Sequence, residues 1–202
     1  MAVAALALIL LAGCSKQLKL PPDPGLATDG LGLGLQLGLS VADARKAADA
    51  AAGKADVWVM THEEFNRHNP YAERRGDLDL VVALYSDNPG DGSPAPTPYG
   101  YGAIDGLACY LANSEKSAVE LRGERAVLLQ PQSLQDTLGK PFLPAEIASD
   151  GQVHLTYYFV YPQPADQPRQ KGQWAIKLVV SFAATGGCYA IAISVTEPPQ
   201  QL

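Results

Sequence analysis

Paired histidines with carboxylates, serines beside bases, cysteines, and tyrosines set beside glycines are the residues here whose types and spacing could do chemistry. The stretch His62-Glu63-Glu64-Phe65-Asn66-Arg67-His68 has the composition of a zinc helix. Such a helix needs histidines four apart, so that both project from one face. Six apart, they stand roughly 240° around a helix, and the stretch reads as a polar connector between strands. His154 falls on the outward side of a predicted strand beside Thr156 and Tyr158, where a solvated or half-packed ring is expected. No serine has the setting of a nucleophile. Ser93 is followed by Pro94 inside a loop, where a strand-to-helix elbow cannot form. Ser114-Glu115-Lys116-Ser117 misses the S-x-x-K spacing by one residue. The pairs Glu63/Glu64, Asp77/Asp79 and Asp87/Asp91 fall where loops are expected. Asp87, Asn88, Asp91 and Ser93 lack both the spacing and the closing Glu of a calcium loop. The glycines of Gly30-Leu31-Gly32-Leu33-Gly34 do not continue into G-x-G-x-x-G, because position 37 is Leu. The expectation is a protein that is not an enzyme, with no catalytic residues, no metal and no cofactor.

The clearest chemistry lies at the N-terminus. Residues 1–13, MAVAALALILLAG, are uncharged and almost wholly apolar. The run is too short for a bilayer of about 30 Å but has the length of the apolar segment of a secretory signal peptide. It ends in Leu11-Ala12-Gly13-Cys14, which resembles the lipobox of bacterial lipoproteins. Small residues before the cysteine let the peptidase reach the backbone, and the Cys14 thiol takes the diacylglycerol. After cleavage Cys14 becomes an N-terminus carrying two or three acyl chains such as palmitate, which meets the need for more than one chain in stable anchoring. Ser15 follows where an Asp would signal inner-membrane retention, so the resemblance implies the periplasmic face of the outer membrane. Residues 15–30, SKQLKLPPDPGLATDG, hold three prolines and two glycines and read as a tether. Fully extended, they span at most ~55 Å.

With Cys14 acylated, Cys109 and Cys188 remain. An even pair in an oxidising compartment suggests a disulfide; the alternative is two buried thiols serving as small hydrophobes. The tyrosines suggest binding. Pro98-Tyr99-Gly100-Tyr101-Gly102 lies in a long Pro/Gly loop, and large contact area on adaptable backbone is typical of protein-binding surfaces. Tyr99 and Tyr101 are therefore the candidate partner-binding residues. Tyr157 and Tyr189 are assigned to the core.

The elements that must position these groups follow from composition and periodicity. The chain has 202 residues, 47% apolar and 18% charged, enough for a packed core. Its net charge of −6, with no basic cluster, excludes the usual footprint of nucleic-acid binding. Residues 30–39, GLGLGLQLGL, read as a flexible or edge-strand lead-in. Ser40, with Asp43 three residues on, caps a helix over 41–52 that stops at Gly53. Strands follow at 56–61, 78–86 and 106–112. A second helix, SLQDTLG, is capped by Ser133 and ended by Gly139. Residues 114–130 admit either a hairpin turning at Gly123 or strand and loop. Residues 153–161 alternate, Trp174, Ile176, Leu178, Val180 and Phe182 share a face, and Tyr189, Ile191, Ile193 and Val195 line a returning strand.

The expected fold is α+β, with one or two helix-plus-three-strand antiparallel units and a possible tandem repeat. The expected organisation is a signal peptide at 1–13, a lipidated tether and Gly/Leu lead-in at 14–38, and units at 39–113 and 114–202. The capped helix, the turn Leu138-Gly139-Lys140-Pro141 and the three antiparallel strands are similar to the SmpA/OmlA (BamE-like) lipoprotein fold and to tandem β-lactamase-inhibitor-like proteins. Gly38-Leu39-Ser40 resembles the start of the family's helix. The resemblance covers 40–53 and 131–195. It implies a non-enzymatic protein-binding or envelope-assembly role. The alternative is a periplasmic inhibitor or immunity protein, for which the acidic charge of the chain and the Tyr99/Tyr101 loop would suit insertion into a basic cleft.

Overall fold

A computed structural model of the chain describes residues 19–52, 57–61, 80–86, 98–99, 102–111, 119–162 and 174–199. The runs rich in β-branched and aromatic residues form the strands β1 (Val57–Thr61), β2 (Leu80–Tyr85), β3 (Gly106–Leu111), β7 (Val153–Val160), β8 (Ala175–Phe182) and β9 (Cys188–Thr196). With the two-residue edge strand β6 (Glu146–Ile147) they make one sheet in the order β1-β2-β3-β9-β8-β7-β6. β1 pairs with β2 in parallel, and every other neighbouring pair is antiparallel. The short strands β4 (Glu120–Leu121) and β5 (Glu124–Arg125) form a separate hairpin about Arg122-Gly123, the first of the two alternatives the sequence left open there.

The fold is α+β, as expected. Among the described residues the helix Val41–Ala52 is followed by three strands of the main sheet and the helix Pro131–Leu138 by four, and the pairing gives no support to a tandem repeat. The first half joins its first two strands in parallel and the second joins its strands as an antiparallel meander. The β3–β9 ladder then merges both halves into one sheet.

One sheet face carries the core. Leu80, Val82, Leu84, Leu107, Cys109, Leu155, Phe159, Ile176, Leu178, Val180, Phe182, Ile191 and Ile193 alternate onto it and are buried. Helix α2 (Val41–Ala52) lies against β1 and β2. Its bounds are those expected, and Ser40 caps it: the Asp43 N–H donates to Ser40 Oγ at 3.1 Å, and that hydroxyl donates to Asp43 Oδ2 at 2.8 Å. Ala44 and Ala48, four apart on one helix face, are fully buried and let the helix approach closely. Helix α3 (Pro131–Leu138) starts two residues before the expected cap. Pro131 has its φ preset for a first helical turn, so Gln130 becomes the cap. Ser133 instead sits inside the first turn, accepting the Gln130 N–H at 3.0 Å.

The largest departure from expectation is the segment expected to be a tether and lead-in. Helix α1 (Leu26–Asp29) follows Asp23, whose carboxylate accepts the N–H groups of Leu26 at 2.9 Å and Ala27 at 3.1 Å. Leu31, Leu33, Leu35 and Leu37 are all at most 3% exposed and belong to the core. Gly30, Gly32 and Gly34 carry φ of 55°, 79° and 63°. These left-handed steps cost glycine little and curl the chain so that each intervening leucine points inward. The segment is tied down by Leu37 N–H to Ala27 O at 2.8 Å, Gly38 N–H to Ile104 O at 2.8 Å and Glu120 N–H to Leu31 O at 2.9 Å. Burying a leucine contributes about 2 kcal/mol, enough to offset much of the cost of ordering its residue.

Candidate functional site

Of the five residues singled out for function, three lie among the described residues: Tyr99, Cys109 and Cys188. Cys14 and Tyr101 lie outside them, as do His62, His68, Ser93 and the carboxylates between 63 and 91.

Tyr99 is half-buried. Its ring meets Tyr161 edge-on, with centroids 5.7 Å apart, and closes over Gly38. Burial, then the adjacent Tyr161 hydroxyl, pushes its own hydroxyl pKa up, and the carboxylates of Asp23 and Asp105 add to the shift. The ring therefore packs the Gly/Leu segment onto the end of β7. Tyr157 and Tyr161 are buried on the core face, and among the described residues the Tyr157 hydroxyl meets no hydrogen-bond partner. Burial pushes Tyr157 up to about 12.

Cys109 and Cys188 are both buried and unbonded, where the sequence reading favoured a disulfide. They face the same core from neighbouring strands, but the register offsets them. Cys109 stands opposite Ile191, three residues from Cys188 in the chain, while Cys188 stands opposite Phe182. Even a two-step offset is roughly 7 Å along a strand, and with the spacing between strands it exceeds the reach of a disulfide. Burial pushes the Cys109 thiol far up and Cys188 to about 12, with Cys188 adding to the shift at Cys109. Both are inert small hydrophobes at neutral pH.

The face of the sheet away from the helices carries the richer constellation. A β-bulge between β8 and β9 starts it: Ser181 pairs with Ala190 but Phe182 pairs with Cys188, leaving Tyr189 as the extra residue. The bulge turns Cys188 into the core and sends Tyr189 to the outer face, away from Ile191 and Ile193 with which alternation had grouped it. There the Tyr189 hydroxyl donates to Gln152 Oε1 and also contacts Ser181. Gln152 Nε2 donates to Asp150 Oδ2 at 2.8 Å. Ser181 Oγ lies 2.8 Å from His154 Nδ1.

Register makes this a row. Tyr110 opposes Ala190, Ala190 opposes Ser181, Ser181 opposes His154, and His154 opposes Glu146. One rung thus runs across five strands with polar groups on one face. On β2 and β3 it is extended by Tyr85 and Tyr110, whose hydroxyls share a hydrogen bond. The two residues stand four rungs apart, about 14 Å along the strands, so both rings must lie along the sheet. In the register the Ala83–Ala108 pair lies between them, and both alanines are buried. Burial pushes the hydroxyls of Tyr85, Tyr110 and Tyr189 up. Tyr158 stands on the same face of β7, its ring edge-on to Phe142 at 5.2 Å.

No protein family, curated protein or solved structure matches the chain. Among the described residues there is no group of three or more His, Cys, Asp or Glu side chains able to hold a metal, and no helix is long and apolar enough to cross a membrane.

The expected tyrosine loop is thus joined by a set the sequence reading did not assemble: Tyr85, Tyr110, Gln152, His154, Ser181 and Tyr189. Alternation alone put His154 and Thr156 outward, correctly. The missing signal is the bulge, a one-residue irregularity whose local sequence, Gly187-Cys188-Tyr189-Ala190, reads as an ordinary strand start.

Proposed function

We propose that the chain is a lipid-anchored envelope protein without catalytic activity, held by an acylated Cys14 on the periplasmic face of the outer membrane, that binds another protein. The lipobox-like Leu11-Ala12-Gly13-Cys14 supports the anchor. The observation that carries the binding role is the outer sheet face, where Tyr85, Tyr110, Tyr158 and Tyr189 surround small residues and a hydrogen-bonded polar row. Tyrosines offer rigid, amphipathic contact area at small entropic cost, and hydroxyls and amides supply adaptable hydrogen bonds. The Ser181–His154 contact supports adhesion within the face better than nucleophilic chemistry. Ser181 is only 9% exposed, which keeps its Oγ from a substrate.

The test is site-specific photo-crosslinking in intact envelopes. A crosslinker at Thr156 or Lys177, on the outer face, is expected to capture a stoichiometric envelope protein. One at Gln132 or Asp136, on α3 over the opposite face, is expected to capture none. Capture from α3 alone would overturn the assignment. The net charge of −6 favours one second reading, an inhibitor or immunity protein for a basic enzyme or toxin. The identity of the captured protein separates the two.

A further inference from the structure

The seating of residues 21–37 sets how the folded body must stand on a membrane. The Val160 N–H donates to the Pro21 carbonyl at 2.8 Å, and Pro22 bridges Val160 in parallel. Asp23 caps α1, and the buried leucines that follow lock the segment. The chain is therefore fixed to the body from Pro21 onward, at the end of the sheet where β7 ends, β8 begins and β9 ends. If Cys14 is acylated, as the proposed function holds, residues 15–20 alone separate the lipid from this fixed point. From Cys14 to Pro21 the chain makes seven residue steps, which reach at most ~25 Å.

We infer that the end of the sheet holding Val160, Ala175 and Thr196 apposes the lipid surface, and that the turn end with the polar row faces away from it. Magnitudes decide the direction. From Val153 to Val160 β7 makes seven residue steps, about 23 Å, and the turn from Ala183 to Gly187 extends beyond it. With that turn lowered onto the bilayer, the height of β7 and the turn together would carry Pro21 beyond the reach of the fully extended link. With the Val160 end down, the link is long enough and the His154 rung stands about 20 Å further out. The link itself suits a lipid surface. Its sequence is SKQLKL, and Lys16 and Lys19 are the only charged residues in 1–20 of a chain whose net charge is −6. Each lysine near an anionic surface is attracted to it. Among the described residues the exposed large apolar side chains are Leu128, Ile147 and Val160, and Val160 lies beside the fixed point.

The test uses the full acylated chain in vesicles of phosphatidylethanolamine and phosphatidylglycerol carrying a headgroup quencher. A fluorophore is placed through Glu197→Cys, just past β9 at the Val160 end, or Thr185→Cys, in the turn at the other end. Strong quenching at 197 and emission near the vesicle-free value at 185 are expected. A further variant with about twenty Gly/Ser residues inserted after Lys19 should lose most of that difference, because its link spans the whole body. Flotation with the vesicles is read in the same samples. Failure to float removes the anchor and this inference with it. Flotation with equal quenching at both sites, or with stronger quenching at 185, overturns the orientation and leaves the anchor standing.

Discussion

Gly38 and Tyr99 touch so closely that a methyl group on Gly38 would stand 2.7 Å from Tyr99 Cδ1. The contact joins the end of the leucine-rich segment to the loop that precedes β3, and the Gly38 N–H to Ile104 O bond at 2.8 Å holds it from the backbone side. Gly38 also has φ of 95°, where a side chain is strained.

Gly38→Ala should therefore destabilise the protein by about 2 kcal/mol, from backbone strain and the clash together. For a chain of this length that lowers Tm by roughly 4–8 °C. Adding Tyr99→Ala should relieve the clash but not the strain. Thermal unfolding of the single and double variants checks this; strictly additive losses would argue against the contact.

Leu35→Ala distinguishes a core segment from a tether. Leu35 is fully buried, so truncation should cost about 3 kcal/mol. A leucine in a solvated linker would cost nothing measurable. Urea unfolding with an unchanged midpoint would return residues 30–38 to the tether.

Asp23 predicts a pH dependence of definite sign. Burial raises its pKa above the ordinary 3.8, outweighing the hydrogen bonds from Ala27, Leu26 and Gly25 that lower it. The folded state then holds this proton more tightly than the unfolded state. Its contribution to stability is present below 3.8 and declines as pH rises through the raised folded value. Asp23→Asn keeps an oxygen for the Leu26 and Ala27 amides and should remove that decline. Asp23→Ala loses the cap and should cost about 1 kcal/mol. Denaturant midpoints across the acidic range, compared among the three proteins, test it; an Asn variant that keeps the wild-type slope refutes the assignment.

Cys109 and Cys188 should resist alkylation at neutral pH in the native protein and react fully, without reductant, once it is unfolded. A mobility shift on reduction, with no free thiol beforehand, would show that the pair bonds after all and that the β3–β9 register shifts to allow it.

Much of the fold was legible because strand periodicity and helix caps are local. Leu155, Tyr157, Phe159 and Tyr161 alternate inward as read, and Ser40 with Asp43 marks the start of α2 without reference to anything distant. The hairpin at Gly123 is equally local. Ser133 was misread as a cap because Pro131, two residues earlier, is the better helix start.

The candidate site was less legible, since its members come from five strands. Tyr110, Ser181, His154 and Glu146 are scattered over more than seventy residues of sequence and meet only through sheet order. Tyr189 joins them through a bulge that breaks the period-two rule at a single position.

By itself, then, the sequence determined the lipobox-like Cys14 motif, the α+β class and, outside the bulge at Tyr189, which residues of β7 and β8 face inward. Each is a property of neighbours within a few positions. The tertiary structure alone decided that β1 and β2 run parallel and that both halves share one sheet. It also decided that Leu31, Leu33, Leu35 and Leu37 enter the core instead of leading to it. Glycine and leucine in alternation are compatible with a flexible lead or with a buried coil. The choice falls to the coil because the sheet presents an apolar face that four leucines can cover, and burying them offsets the entropy of ordering the segment.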